Sequence, residues 1–471
     1  MKRLLSVIML FALVLSMTAC GAAQGDGAAT TEANEEFLVG YARINITPDE
    51  PTGLAGHGNT DERKHKEVLD YIYLTCVAMT DSQDNTFLFY AADLCSIEDQ
   101  VIGAARTKVS EKVGIPGEQM MFNYSHTHSA PSGSIIADLF TKAAVEAAEK
   151  ALADRKNATL YVGKTETQGL NFVRHYYLSD GFAKGDNHGV MDGRTYVSHT
   201  TDADPEMRLL QFKREGGKDV IMINWQTHPH ITGGQKVYSM SADIIGAFRT
   251  NLEEQYDCLF AFYQGAGGNI NPTGKLEGEN ANDSNPRDYR IHGQLLTKHA
   301  LDALSNMTQA ETGPIKYIQE IYSCKSNKED MDMAYYAADV VAYKASGHDD
   351  VETMNYGLQF GIYSIYHANS IVSRASNPDT VEIEITAVSF GDVGMVFAPY
   401  EMFDVNGKYI RDNSPFDFTF SCGYSNGKTG YFPSLEAWEY GCYEADTTRV
   451  ARGTAEEVAE RFVEMLDELH G

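Results

Sequence analysis

The sequence predicts an α/β protein with a layered, mixed β-sheet core flanked by helices. Hydrophobic residues make up 43% and aromatic residues 11% of the 471 residues, enough to form a large buried core. Short apolar or alternating runs, typical of strands, alternate with helical periodicity along most of the chain. No internal repeat or second linker divides the sequence, so we expect a single large domain over 37–471.

Nine runs have the length and apolar character of strands. They are Val39–Ile46, Tyr71–Met79, Thr86–Ala91, Met120–Tyr124, Leu209–Phe212, Val220–Trp225, Leu259–Tyr263, Val381–Ser389 and Met395–Ala398. Five other segments repeat apolar residues every three to four positions, as amphipathic helices do. They are Glu98–Val113, Ala137–Asp154, Ala242–Gln255, His292–Leu304 and Ala455–Leu469, the last preceded by Thr454 as a predicted N-cap.

One long segment interrupts the alternation of strands and helices. Ser326–Ser373 is polar, is rich in tyrosine and methionine, and contains no evident strand pattern. We therefore expect a helical insertion at about 326–373 within the domain.

The first twenty residues have the pattern of a bacterial lipoprotein signal peptide. Lys2 and Arg3 precede the apolar stretch Leu4–Leu15, and small residues lead to Cys20. An apolar stretch of about 12 residues is too short to span a bilayer, which needs about 20. Cleavage would leave Cys20 as a lipid-modified amino terminus, followed by a flexible tether over 21–36. The sequence thus predicts an extracytoplasmic lipoprotein anchored to the bacterial cell membrane.

Charge and cysteine spacing argue against two kinds of site. A net charge of −28 repels phosphate backbones, so nucleic acid is not an expected partner. The cysteines after Cys20 are single, with no CxxC spacing, which argues against cysteine-ligated zinc. A disulfide such as Cys422–Cys442 is possible outside the cytoplasm, but burial in an apolar core is the favoured interpretation. These cysteines are Cys76, Cys95, Cys258, Cys324, Cys422 and Cys442.

Two His-x-His pairs follow predicted strands. His126 and His128 come after one strand, and His228 and His230 come after another. In extended backbone, residues two apart point to the same side, so each pair can face one site. Imidazole is the commonest metal ligand, and a catalytic zinc site needs three protein ligands with an open position for water. For a single pair, the alternative is a hydrogen-bonded polar turn.

The glycine-rich segment Gln264–Pro272 also follows a predicted strand. Such a turn can direct backbone N–H groups at an oxyanion, or allow the backbone to approach a ligand closely. Its spacing matches neither the P-loop nor the GxGxxG motif, so nucleotide binding is not predicted. An ordinary tight turn is the alternative.

These clusters, in this order, resemble the neutral/alkaline non-lysosomal ceramidase family. The resemblance covers nearly all of the chain after the tether and is sharpest around the first histidine pair. The chain ends at Gly471 without a counterpart of the family's carboxy-terminal β-sandwich domain. The matching segments are Val39–Pro48, Ala91–Leu94, Ser125–Pro131, Asn224–Pro229, Ser241–Asp243, Gly265–Pro272 and Asn426–Tyr431.

The resemblance implies a zinc amidase that hydrolyses the N-acyl bond of ceramide or a similar lipid amide, with one Zn²⁺ per chain. His128 would handle a proton, and Arg174 would contact the scissile amide or the released carboxylate. The family often has two nearby tyrosines; Lys428 occupies the earlier position here, which leaves Tyr431 as ligand and catalytic residue. By motif matching, the metal ligands would be His126, His228, Glu401 and Tyr431.

Other functions stay open from the residues alone. The same metal chemistry would serve an esterase, or an amidase for N-acyl amino acids or peptidoglycan-derived amides. A solute-binding lipoprotein is the alternative from another class. That protein would need two lobes and no metal, and the paired histidine motifs argue against it.

Overall fold

Strands and helices alternate along most of the chain. The computed structural model describes residues 36–58, 60–179, 183–185, 195–272 and 288–471. The strands are β1 (Leu38–Asn45), β2 (Glu67–Val68), β3 (Tyr73–Thr80), β4 (Thr86–Ala92), β5 (Met120–Tyr124), β6 (Lys156–Glu166), β7 (Asn171–Val173), β8 (His175–Leu178), β9 (Ala183–Gly185), β10 (Tyr196–His199), β11 (Glu206–Arg214), β12 (Val220–Trp225), β13 (Ser239–Met240), β14 (Leu259–Gln264), β15 (Ile270–Pro272), β16 (Thr308–Gln309), β17 (Lys316–Lys325), β18 (Thr380–Phe390), β19 (Val393–Phe397), β20 (Glu401–Met402), β21 (Phe418–Cys422) and β22 (Tyr431–Phe432). The helices are α1 (Asp99–Val113), α2 (Ala137–Ala153), α3 (Ile231–Gln235), α4 (Asp243–Tyr256), α5 (Tyr289–Leu304), α6 (Ala334–Ala345), α7 (Asp350–Leu358), α8 (Ile365–Arg374), α9 (Asp404–Asn413), α10 (Leu435–Tyr440), α11 (Tyr443–Thr447) and α12 (Thr454–His470).

Two sheets stack face to face, and helices cover their outer faces. The larger sheet has the order β14-β12-β11-β6-β1-β3-β4-β5, with β16 beside β6, and the smaller has the order β17-β18-β19-β21. Their inner faces share one apolar core, in which the rings of Phe89 and Phe397 lie 6.0 Å apart. Helices α1, α2, α4 and α5 pack on the larger sheet, and α9 and α12 on the smaller. This arrangement confirms the predicted layered sheet core flanked by helices.

The two covered faces explain why central strands are apolar throughout. Val220 and Met222 of β12 point into the core between the sheets, whereas Ile221 and Ile223 pack against α4 and α5. Strand β12 pairs with β11 in antiparallel and with β14 in parallel orientation. Strands β4 and β5, and β19 and β21, are also parallel pairs. The sheet is therefore mixed, as predicted.

All nine predicted strands are present, with ends shifted by up to three residues, but several others were missed. Among those missed are β6, β17 and β21. Only two of the eleven β6 side chains and one of the ten β17 side chains are buried, and both strands carry lysines. Their apolar alternation is therefore weak, which explains why the sequence pattern did not reveal them.

The predicted N-cap at Thr454 was wrong. Thr454 is the first residue of α12, and Gly453 precedes it at φ 88°, a backbone conformation that glycine adopts without a steric penalty. Helix α5 begins at Tyr289 rather than His292, because the Asp288 side chain accepts a hydrogen bond from the Arg290 N–H.

The insertion at 326–373 is helical, as predicted. Helices α6, α7 and α8 pack around a small core of their own, which includes Val340 and Ile371. The buried Arg374 connects this insertion to α11, because its guanidinium donates to the Asp446 carbonyl oxygen at 2.7 Å. The insertion therefore packs beside the carboxy-terminal part of the domain.

The predicted core location of the six cysteines after Cys20 is confirmed: all are buried and free. No disulfide, including Cys422–Cys442, is present in the described part of the chain.

The predicted signal peptide and nearly all of the tether lie outside the described residues. In the described ranges, no helix is long and apolar enough to cross a membrane.

Candidate metal centre

Several loops meet at the carboxyl ends of the parallel strand pairs. The amide of Asn123, on β5, donates to the Gly423 carbonyl oxygen at 2.8 Å and accepts from the Gln264 N–H at 2.7 Å. The Gln264 side chain in turn donates to the Ser125 and Thr227 carbonyl oxygens at 2.8 and 2.5 Å. These two buried amides hold together the loops that follow β5, β12, β14 and β21. Neither amide was singled out from the sequence.

Three predicted ligands come together at this point. Glu401 Oε2 lies 3.4 Å from His126 Nε2 and 3.2 Å from His228 Nε2, and the ligand atoms of all three residues lie within 4.8 Å of one another. In a tetrahedral site with bonds of about 2.0–2.1 Å, neighbouring ligand atoms lie about 3.3–3.4 Å apart. The donor types and their spacing therefore fit a divalent metal ion.

Hydrogen bonds set the orientation of both imidazoles. His126 Nδ1 lies 2.6 Å from the Cys95 carbonyl oxygen, and His228 Nδ1 lies 3.1 Å from the Ile270 carbonyl oxygen. A carbonyl can only accept, so Nδ1 carries the proton and Nε2 presents its lone pair to the centre. His228 Nε2 is buried and has no hydrogen-bond partner in the described chain, as expected of an atom placed for a metal.

Burial favours the metal-binding form of these histidines. Burial lowers the pKa of His126 to about 4, although the Glu401 carboxylate opposes this shift. The pKa of His228 is held well below its usual value by burial and then by the Arg174 charge. Both rings are therefore neutral at pH 7, the state in which imidazole binds metals.

The first histidine pair is not in the extended backbone that its spacing suggested. His126 has φ 64°, in the left-handed region, and lies two residues after the end of β5 at Tyr124. The two rings nevertheless converge, with His128 Nε2 3.2 Å from His126 Nε2. His128 belongs to a separate group of possible ligands, with His126 and Cys95. Its ring is also 4.8 Å from that of His57.

The two histidines of the second pair do not face the same site. His228 faces the centre, whereas His230 Nε2 lies 3.1 Å from Asn271 Oδ1. The two ring centroids are 6.2 Å apart. Only one histidine of this pair therefore joins Glu401.

The glycine-rich segment is a tight turn that supports Glu401. The N–H groups of Gly265, Gly267 and Gly268 donate to backbone carbonyl oxygens at 2.7–3.0 Å, so they are not directed at an oxyanion. The acceptor for Gly268 is the Met402 carbonyl oxygen. A Cβ at Gly268 would lie 2.6 Å from the Glu401 carbonyl oxygen, so glycine is required for this close approach.

Two tyrosines lie beside Glu401. Tyr431 is directly opposite Glu401 in the parallel β20–β22 pair. The hydroxyl of buried Tyr424 donates to Glu401 Oε2 at 3.5 Å, and its ring is 4.8 Å from that of His126. Tyr424 was not predicted from the sequence; it lies two residues after the unpredicted strand β21. Burial, followed by the Glu401 charge, raises the pKa of both tyrosines well above the usual value.

Arg174 lies beside this centre rather than on the surface. Its guanidinium carbon is 5.5 Å from the centroid of the Tyr431 ring. Its Nε donates to Glu444 Oε1 at 2.6 Å. Glu444, on α11, was also not predicted, because α11 is a five-residue helix without clear periodicity.

The fold is similar to that of solved ceramidases. Neutral ceramidase from Pseudomonas aeruginosa aligns with a TM-score of 0.70 and 16% identity over 92% of this chain and 74% of that one. A ceramidase complexed with C2 aligns with a TM-score of 0.68 and 15% identity over 93% and 75%. No protein-family model and no curated protein sequence matches the chain. The predicted resemblance is thus confirmed at the level of the fold, which is neutral ceramidase-like.

Proposed function

We propose that this chain is a zinc-dependent hydrolase that cleaves the N-acyl amide bond of a lipid-like substrate such as ceramide. The observation that carries the proposal is the convergence of His126, His228 and Glu401, with ligand atoms within 4.8 Å, at the strand ends of a ceramidase-like fold. Two neutral imidazoles and one carboxylate form a donor set typical of catalytic zinc sites. Tyr431 is proposed as a further ligand.

The chemistry needs an activated nucleophile and a polarised carbonyl group. A zinc ion in such a site supplies Lewis acidity, which makes water nucleophilic near neutral pH and polarises an amide. The hydrogen bonds to the Cys95 and Ile270 carbonyl oxygens keep both Nε2 atoms directed at the centre, so the protein holds this geometry before substrate binds.

His128 is the proposed proton-handling residue. Its Nε2 lies beside the ligand His126, and burial holds the pKa of His128 well below its usual value. Burial makes the free imidazole a weak base, so the role rests on its position beside His126, from which it would accept a proton as water attacks and return it to the leaving amine. Such transfer contributes roughly 10²–10⁴-fold to rate.

Arg174 is proposed to stabilise negative charge on the substrate oxygen or on the released carboxylate. It lies against Tyr431, next to Glu401. Its guanidinium carries several N–H donors, and removing one donor to a developing oxyanion typically costs about 10²–10³ in rate.

A lipid amide also agrees with the predicted location of the enzyme. We propose that Cys20 carries the lipid anchor and that the domain acts outside the cytoplasmic membrane, close to bilayer lipids. Two signals are usually needed for stable lipid anchoring, and a diacylated amino-terminal cysteine meets that need.

A panel of substrates tests the proposal. Purified protein is incubated with ceramides, N-acyl amino acids and simple fatty esters, and the released fatty acid is quantified with and without a chelator. We expect release from ceramide that the chelator abolishes and added zinc restores. Preference for N-acyl amino acids or esters would change the substrate but keep the metal chemistry. Chelator-insensitive turnover, or binding of an amide without turnover, would contradict the proposal.

A further inference from the structure

A buried ionic cluster lies beside the metal centre. Glu444 is 1% exposed, and its neighbours Arg174 and His175 are 3% and 1% exposed. Arg174 Nε donates to Glu444 Oε1 at 2.6 Å, and His175 Nε2 donates to Oε2 at 2.9 Å. Each carboxylate oxygen therefore has a partner from consecutive residues of the chain.

Glu444 is ionised within this cluster. Burial alone would raise its pKa, but the charge of Arg174, followed by His175, lowers the pKa of Glu444 well below its usual value. The carboxylate thus compensates the charge of the buried arginine.

The backbone of Arg174 is fixed independently of Glu444. The Arg174 N–H donates to the Asn269 carbonyl oxygen at 2.9 Å, and β7, which ends at Val173, pairs with β15. Strand β15 begins at Ile270, whose carbonyl oxygen orients the ligand His228. Glu444 is therefore not needed to bring Arg174 near the centre.

Glu444 instead contacts the guanidinium itself. The edge that carries Nε and Nη2 faces Glu444 Oε1. Nη1 lies on the other edge of the planar group, and the guanidinium packs against Tyr431. A planar guanidinium held along one edge has little rotational freedom. Less conformational entropy is therefore lost when it binds a substrate oxygen.

We propose that Glu444 is a positioning residue, which holds the Arg174 guanidinium beside Tyr431 so that it meets the substrate oxygen in the transition state. This inference rests on the proposed amide hydrolysis. In this role, Glu444 on α11 affects catalysis only by positioning Arg174, and it does not contact the substrate.

A double-mutant cycle tests this role. The wild type, Glu444→Gln, Arg174→Met and the double variant are loaded with zinc, and kcat and KM for ceramide are measured per bound zinc. We expect Glu444→Gln to lower kcat roughly 10- to 100-fold with KM within about 2-fold, because a misdirected arginine affects the transition state most. In the Arg174→Met background, the same substitution should change kcat by less than about 2-fold.

Asp154→Asn is a control at a second arginine–carboxylate pair. It removes a carboxylate from another buried arginine, Arg214, where Asp154 follows α2. This control should keep the wild-type kcat per bound zinc. If Glu444→Gln does not fold, Glu444→Asp replaces it, because the shorter carboxylate keeps the charge but changes the direction of the guanidinium.

Each outcome bears on the inference. A wild-type kcat for Glu444→Gln, or an equal loss of kcat in both Arg174 backgrounds, would overturn the positioning role while the amidase proposal stands. If the zinc-loaded wild type hydrolyses no amide, the proposed function fails, and the role of Glu444 fails with it.

Discussion

His126 and His128 are two residues apart, but their surroundings differ. The Nδ1 of His126 is oriented by a carbonyl oxygen, and His126 belongs to the ligand group with Glu401. His128 is not in that group, and its Nε2 lies 3.2 Å from His126 Nε2. We predict that His126→Ala loses both zinc and activity. His128→Ala should keep zinc but turn over roughly 10²–10⁴-fold more slowly. Zinc analysis of both purified variants checks this, and full zinc in His126→Ala would remove the ligand assignment.

Asp243 is a fully buried carboxyl whose ionisation is unfavourable. Burial raises its pKa to about 6, although the N–H groups of Thr232 and Ile244 donate to it. Between pH 4 and 6 the folded protein keeps this proton while the unfolded chain releases it. The contribution of Asp243 to stability therefore falls as pH rises through this window, by roughly 3 kcal/mol in total.

Asp243→Asn removes this titration. Urea unfolding of both metal-free proteins at pH 4 and pH 7 should show the variant gaining roughly 3 kcal/mol relative to wild type at the higher pH. Metal-free protein is used so that zinc release at low pH does not contribute. A stability difference that is the same at both pH values would contradict the buried-acid account.

At the residue scale, only some residues of the metal centre could be predicted from the sequence. His126, His128 and His228 were visible because they follow strongly apolar strands. Glu401 and Tyr431 were identified only through resemblance to a family. Tyr424 was not found, because its position depends on β21, and a tyrosine near an ordinary turn carries no distinguishing signal.

At the element scale, the turn after β14 determines where Glu401 lies. The Gly268 N–H donates to the Met402 carbonyl oxygen at 2.7 Å, and a Cβ there would collide with the Glu401 backbone. We predict that Gly268→Ala moves β20 and weakens zinc affinity by about 10- to 100-fold. Calorimetric zinc titration measures the effect.

Gly234→Ala is the matched control for that substitution. Gly234 lies in α3, and a Cβ there would meet no described atom within 4 Å. This variant should bind zinc as the wild type does. Equal zinc affinities of Gly268→Ala and wild type would show that the turn does not position the carboxylate.

The strength of the hydrophobic pattern explains part of which strands could be predicted, but β21 was missed although it is buried along its whole length. β5 and β12 are buried along their whole length and were assigned with the correct ends. The half-exposed strands β6 and β17 were missed because their side chains face water at many positions. The conformation of His126 also could not be predicted, since it depends on contacts with loops distant in sequence.

At the scale of the whole molecule, the fold class was predictable but the arrangement of the sheets was not. Alternating strands and helices indicated a layered α/β protein. Strand β12 pairs with both β11 and β14, and the sequence alone does not predict which strands become neighbours, because that depends on tertiary packing. That packing brings together loops from four parts of the chain, and it creates the centre.

The lipid anchor is also a property of the whole molecule. We predict that the wild type, expressed in a bacterial host, partitions into the detergent phase after Triton X-114 extraction, whereas Cys20→Ala partitions into the aqueous phase. Labelling with a fatty acid should mark only the wild type. Partition of both proteins into the aqueous phase without labelling would contradict the lipoprotein prediction.

The central claim is that a metal held by His126, His228 and Glu401 drives amide hydrolysis. The most direct measurement titrates zinc into the metal-free domain and records turnover of ceramide against zinc bound per chain. We predict that turnover rises in proportion to occupancy up to one zinc per chain, and that His228→Ala shows neither binding nor turnover. Full turnover in the metal-free protein, or stoichiometric zinc in His228→Ala, would contradict the account.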